Sequence, residues 1–237
     1  NCPKSACPSP ERYMRAFDCD ADHVYAVTLS AELSGSYNSA VLGKSLLQEE
    51  NPGKQIYVFN SKSASVGQSL IAMKIQECEE AGYSFEKVIE TVEAYIADQH
   101  TFFVLDNLET LRKNGRLSKV KALVASALKI KPLITLKEGE IFNSGITRNR
   151  LKSMKKVVDM TREYLDEVNA KPGEYSFCIG YGYDHNEALE FREMLKDLIK
   201  ERLGIDEIGI YQIGATIGVH TGPYPIGIGI IKHALTE

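Results

Sequence analysis

The 237-residue chain predicts an α/β region followed by an α+β region, a two-lobed molecule whose first lobe holds a parallel sheet and whose second holds a mostly antiparallel six-stranded sheet. Three observations carry this. Up to about residue 99, short β-branched or aromatic runs alternate with polar loops and longer amphipathic stretches, the pattern of βαβ units. Beyond it, six short strand candidates, two of them joined as a hairpin, are mixed with helices, the pattern of α+β folds. The length fits two modest domains, divided near His100 into residues 1–99 and 100–237.

In chain order, Ser9-Pro10-Glu11 opens a helix, with Pro at the first helical position and Ser9 as its cap. His23–Leu29 is a strand and is followed by Ser30–Ser36 and a helix over Tyr37–Glu49. Gln55–Asn60 is the second strand, leading through Ser61–Val66 into a helix over Gly67–Ala81. Ser84 caps a third helix over Phe85–Asp98, whose Val88, Val92, Tyr95 and Ile96 recur at helical spacing. The second half offers strands at Phe102–Leu105, Leu133–Lys137, Glu140–Ile146, Tyr175–Tyr181, Glu207–Ile213 and Gly227–Ile231. Lys137-Glu138-Gly139-Glu140 makes a hairpin turn. Helices are expected over Ser118–Leu128, Leu151–Val168 and Asn186–Leu203.

Composition narrows the function. With 43% hydrophobic and 25% charged residues the chain is an ordinary globular mix, and it needs no disulfide or metal staple. Lys+Arg 28 against Asp+Glu 32 leaves a net charge of −4, which disfavours a general nucleic-acid binder. No apolar run approaches the roughly 18 residues of a membrane span. The five cysteines (Cys2, Cys7, Cys19, Cys78 and Cys178) show no CxxC and no zinc-finger spacing. A Cys2–Cys7 bridge stands as an alternative to reduced thiols, and the expected location is the cytoplasm.

Four polar segments are candidates for chemistry. Pro3–Pro10 holds an extended chain that presents the Ser5 and Ser9 hydroxyls. Ser30–Ser39 lies between a strand and a helix, where free backbone N–H groups and the helix dipole favour an anion, with Ser34 and Ser36 as added donors. It is neither a Walker A loop nor a nucleophile elbow. Arg112–Ser118 contains an Asn114-Gly115 turn, and Thr147-Arg148-Asn149-Arg150 places cations at a helix start, where a bound carboxylate or phosphate would compensate the opposed dipole. Gly214–Tyr224 carries His220 among glycines and threonines, a setting poorly suited to a packed core. His23, His100, His185 and His233 are scattered and read as structural or surface residues.

Taken in order, these segments resemble the DegV family of bacterial fatty-acid-binding proteins. PKSACPSP is similar to the family's TSQPSP, SAELSGSY to SSxLSGTY, LRKNGRLS to LkkGGRIs, IKPLI with TRNR to its basic core, and GVHTGP to GtHtGPG. The resemblance covers essentially the whole chain. It implies one long-chain fatty acid in a tunnel between two lobes, with no cofactor or metal. The implied carboxylate ligands are Ser5, Ser34, His220 and Thr221, with Gly35, Ser36 and Arg148 close to the headgroup. It also implies presentation of the acyl chain to an ATP-dependent fatty-acid kinase, the protein itself being a lipid-binding accessory subunit with no chemistry of its own. The partners exclude nucleic acid and allow transient contact with a membrane surface.

This sequence departs from the family pattern at Cys7 (usually Gln), Ala6 (usually Ser) and Tyr224-Pro225 (where Gly is expected), which bears on tunnel width and chain preference. Two other functions stand beside the lipid carrier. One is an acyl hydrolase with Ser34 or Ser36 as nucleophile and His220 as base. The other is a sugar or polyol binder related to dihydroxyacetone kinases. The second wants a polar cavity, whereas Val24, Val27, Ile134, Ile213 and Ile217, expected near the loops, are apolar. Because the TSQPSP-like motif falls within the first ten residues, the first sheet is expected to lack an N-terminal strand, its centre being one place for it.

Overall fold

The computed structural model describes residues 3–121 and 130–232. Helix α1 (Pro10–Phe17) starts as expected, with the Arg12 N–H donating to the Ser9 hydroxyl at 3.3 Å. Strands β1 (His23–Thr28) and β2 (Gln55–Asn60) pair in parallel, in register from His23↔Gln55 to Thr28↔Asn60. No strand position lies between them. Helix α2 (Ser36–Glu50) connects the two strands, and α3 (Val66–Glu80) and α4 (Phe85–Ala97) follow them.

Among the described residues, all remaining strands form one sheet. They are β3 (His100–Val104), β4 (Val120–Lys121), β5 (Lys131–Lys137), β6 (Glu140–Thr147), β7 (Tyr175–Tyr181), β8 (Gly209–Gln212) and β9 (Ile226–Lys232). Their order is β4-β6-β5-β3-β9-β7-β8, antiparallel except at β4–β6 and β7–β8. The sheet therefore has the six expected strands plus the two-residue β4. The β5–β6 turn has left-handed Glu138 (φ 53°) and Gly139 (φ 86°), as a two-residue hairpin requires. Its Gly139 carbonyl accepts a 2.6 Å hydrogen bond from the Ser30 hydroxyl, tying the hairpin to the β1–α2 loop.

The layers alternate. Phe17, Ala40 and Leu47 from α1 and α2 pack on Ile56 and Val58 of β2. The other face of β2, through Phe59, meets α3 and α4, which also pack on Cys178 and Ile231 of the large sheet. Helices α6 (Arg150–Glu167) and α7 (His185–Leu203) cover the opposite face of that sheet with Val157, Leu165, Phe191 and Leu195, all 0% exposed. Each such side chain contributes roughly 1.5–3 kcal/mol by leaving water. The two sheets, which divide at His100, thus share the α3–α4 layer.

Three expectations are corrected. The helix expected over Ser118–Leu128 is, in its described part, a 3-10 turn at Leu117–Lys119 running into β4; residues 122–129 lie outside the described residues. Ser118 accordingly sits inside that turn instead of opening a helix, and buried Val120 enters the sheet beside Ile141. Two short helices, α5 (Glu109–Lys113) and α8 (Ala215–Thr221), appear where loops were expected. Helix α8 is poor in helix formers and is held by packing on α5, the Asn114 amide donating to the Val219 carbonyl at 2.6 Å.

Among the described residues no helix is long and apolar enough to cross a membrane, and no group of His, Cys, Asp and Glu is placed to hold a metal. Cys7, Cys19, Cys78 and Cys178 are free thiols, and burial pushes that of Cys178 up to about 12. Cys2 and His233 lie outside the described residues.

Candidate functional site

Helices α2 and α3 both begin over the large sheet, and a cavity of about 400 Å³ opens between their N-termini, the sheet and α8. That volume lies within the usual range of about 300–1,000 Å³ for small-molecule sites. The floor runs from Ile141 on β6 through Ile134, Phe103, Gly227 and Gly180 to Ile213 just past β8. Six neighbouring strands make this roughly 24 Å long at about 4.8 Å per strand. Of the apolar residues expected near the loops, Val27, Ile134, Ile213 and Ile217 line the cavity, whereas Val24 faces the other way and packs with the α1–α2 layer.

Four distant segments build one polar end. Prolines 3, 8 and 10 keep the first segment extended, so that Ser5 reaches across to α8, its hydroxyl oxygen 2.8 Å from His220 Nε2. Ser34 and Ser36 flank Gly35, the residue that starts α2 without any side-chain cap bond. Their hydroxyls lie 3.0 Å apart, and the Ser36 N–H donates to the Ser34 hydroxyl at 3.2 Å. The start of α2 turns its partial positive charge toward the same end. Cys7 stands beside them, its sulfur 3.4 Å from the Ser39 hydroxyl.

His220 lies in the last turn of α8. Burial, then the positive charge of Arg116, holds its imidazole below the ordinary value, so it is neutral near pH 7. Its Nδ1 is buried with no hydrogen-bond partner among the described residues. Thr221 lines the cavity, but its hydroxyl donates to the Ile217 carbonyl at 3.2 Å, inside its own helix.

The structure therefore brings Ser5, Ser34, Gly35, Ser36, His220 and Thr221 to one cavity. It does not bring Arg148 there. That residue is exposed in the β6–α6 turn, where Asn149 caps α6 and directs the chain away. Among the described residues the cation in the cavity wall is Arg116, which the site expected from the sequence omits. Its signal was in LRKNGRLS: left-handed Gly115 (φ 69°) reverses the chain and turns Arg116 inward, where it donates to the Asn114 carbonyl at 2.9 Å.

Chemically, the arrangement offers hydroxyl donors, a neutral imidazole and one guanidinium at the mouth of an apolar channel. It suits an anionic head on a long apolar tail. Hydrolase geometry is poor, since His220 faces Ser5 and not Ser34 or Ser36, and no carboxylate among the described residues orients its Nδ1. Three other histidines stand elsewhere, His23 paired with Glu79 at 2.8 Å, His100 against the Tyr164 ring and His185 against the Tyr181 ring.

Comparison with known proteins gives the family. A family model described as "uncharacterised protein, DegV family" matches residues 1–233. A DegV domain-containing protein of Streptococcus pneumoniae is 42% identical over 128 residues, which are 54% of this chain and 45% of that protein. The chain thus spans about half the length of that curated relative. The crystal structure of a DegV family protein from Ruminococcus gnavus, refined with vaccenic acid, is 47% identical with a TM-score of 0.84, over 97% of this chain and 79% of that one. The fatty acid kinase B3 protein of Streptococcus pneumoniae, loaded with linoleic acid, is 29% identical with a TM-score of 0.77, over 97% and 78%. The chain belongs to the DegV family.

Proposed function

We propose that this protein binds one long-chain fatty acid, its tail in the channel and its carboxylate at the Ser5–Ser34–His220 end, and presents it to an ATP-dependent fatty-acid kinase. The observation that carries the proposal is the union of one long apolar cavity with a hydroxyl–imidazole cluster at its end. Each methylene buried contributes about 0.8 kcal/mol, so the tail supplies the affinity and the polar end the orientation. In the Nε2–H tautomer His220 would donate to the Ser5 oxygen, 2.8 Å away, and leave the Ser5 O–H free to donate to the carboxylate, with Ser34 as a second donor. Hydrogen bonds of this kind stabilise the anion without closing it in an ion pair. A carboxylate oxygen then remains able to attack the γ-phosphoryl of ATP on the partner, giving an acyl phosphate and ADP. The similarity to the fatty acid kinase B3 protein supports that partner. The domain division near residue 100 and a cytoplasmic location belong to the same proposal.

Native followed by denaturing mass spectrometry tests it: a fatty acid released on denaturation is expected. Ser34→Ala and His220→Ala should each weaken binding by roughly 10–100-fold, the worth of a hydrogen bond to a charged group. Absence of lipid together with sugar binding, or unchanged affinity in both variants, overturns the proposal. A covalent acyl-serine would favour the hydrolase instead.

A further inference from the structure

Helix α6 begins with Arg150, a cation at the end where the dipole disfavours it. The guanidinium turns sideways. Its Nε lies 2.6 Å from Glu187 Oε1 and its Nη2 2.6 Å from Glu187 Oε2, a two-point fork. The same Nη2 donates to the Tyr224 backbone carbonyl at 2.7 Å. The pair is mostly buried, at 20% and 18% exposure. Nη1 is buried without a partner among the described residues, a cost that an exposed surface pair would not incur. Glu187 stands in the first turn of α7, where its charge suits the dipole, and its N–H is capped by Asp184 at 3.1 Å.

Tyr224 belongs to the span that joins α8 to β9. Two bonds tie this span to the end of β7, from the Gly182 N–H to the Pro225 carbonyl at 2.9 Å and from the Tyr183 N–H to the Pro223 carbonyl at 2.7 Å. The bond from Arg150 is the third, and it connects the span to α6 and, through Glu187, to α7. Immediately before the span come His220 and Thr221, and left-handed Gly222 (φ 82°) makes the joint between them permissive. Pro225 and Gly227, on the far side of Tyr224, line the cavity.

We infer that Arg150, braced by Glu187, is a positioning residue that fixes His220 against Ser5 through the Tyr224 carbonyl. It is not among the residues that line the cavity, and it stands two residues from the exposed Arg148. Its planar fork holds Glu187 and Tyr224 together, which a lysine ammonium cannot do with the same geometry. The inference rests on the fatty-acid reading, in which the Ser5–His220 pair recognises the carboxylate.

The test compares an 18-carbon fatty acid with its methyl ester, which shares the tail and lacks the charge. Wild-type protein should prefer the acid; without that preference the fatty-acid reading itself falls. In Arg150→Met the acid should weaken by about tenfold while the ester stays within about twofold. Arg150→Lys should recover only part of the preference. Should the Met variant fail to fold, Arg150→Met combined with Glu187→Leu removes both buried charges and should show the same loss. Equal weakening of acid and ester, or an unchanged preference in a folded variant, overturns the positioning role.

Discussion

The two faces of the large sheet are built from the same strands and do opposite work. Along β9 the sequence reads Ile226-Gly227-Ile228-Gly229-Ile230, and strand alternation sends the isoleucines to one side and the glycines to the other. The three isoleucines are fully buried in the core formed with α6 and α7. On the glycine side α3 comes close. A Cβ at Gly229 would lie 3.3 Å from the Gly67 nitrogen, and one at Gly180 would lie 2.8 Å from a Val66 methyl. Beyond the start of α3 the channel begins, walled by α8, by Leu111 of α5 and by the start of α2. A binding cavity is thus made by leaving side-chain volume out of one face while the other is packed to completion.

The contrast can be broken first on the packed side. Ile230→Ala should lower unfolding stability by about 2–5 kcal/mol, the usual cost of a large buried truncation. Fatty-acid affinity per folded molecule should not change, because the cavity is on the other face. Denaturant melts paired with lipid titration check this, and a large loss of affinity at full folding would show that the two faces are not independent.

The open side should respond the other way. Ala64 lines the channel and packs with Leu105 and Ile134. Ala64→Phe fills channel volume, so an 18-carbon acid should bind roughly tenfold more weakly while a shorter chain loses less. Stability should fall little, since the side chain grows into existing space. Equal loss for all chain lengths would place Ala64 at the mouth instead of along the tail.

Much of this architecture was legible from local pattern. The helices α2, α3, α4, α6 and α7 and all strands but β4 carry clear periodicity and begin or end within two residues of their expected bounds. Ser9 and Ser84 cap as their positions imply. What escaped depends on tertiary contact. Helix α8 exists because α5 receives it, and β4 because β6 offers an edge. Within the site, the grouping of Ser5 with His220, 215 positions apart, has no local signal. Only the resemblance of the motifs placed them together. The same route misplaced the cation: Arg116 and Arg148 both sit in basic stretches, and only the turn at Gly115 separates the one facing the cavity from the one facing solvent.

The smallest effect distinguishes the faces by titration. His220 stands at the cavity, and His100, at the start of β3, stacks its ring 4.2 Å from that of Tyr164 on the α6 side. Burial is the main cause that lowers both imidazoles, aided by Arg116 at the first and by Lys137 at the second. Between each lowered value and the ordinary value of about 6.5, the unfolded chain binds more protons than the folded one. Stability should therefore be complete above roughly pH 7 and decline as the pH falls through 6.5, with contributions from both residues. Ligand separates them. A carboxylate beside His220 favours the imidazolium, so loading with fatty acid should raise the His220 titration midpoint and leave that of His100 in place. By linkage, the acid should bind more tightly as the pH drops across that interval. Proton NMR of the two imidazoles, in empty and loaded protein, measures this. Parallel movement of both, or of neither, would mean that the carboxylate does not sit against His220.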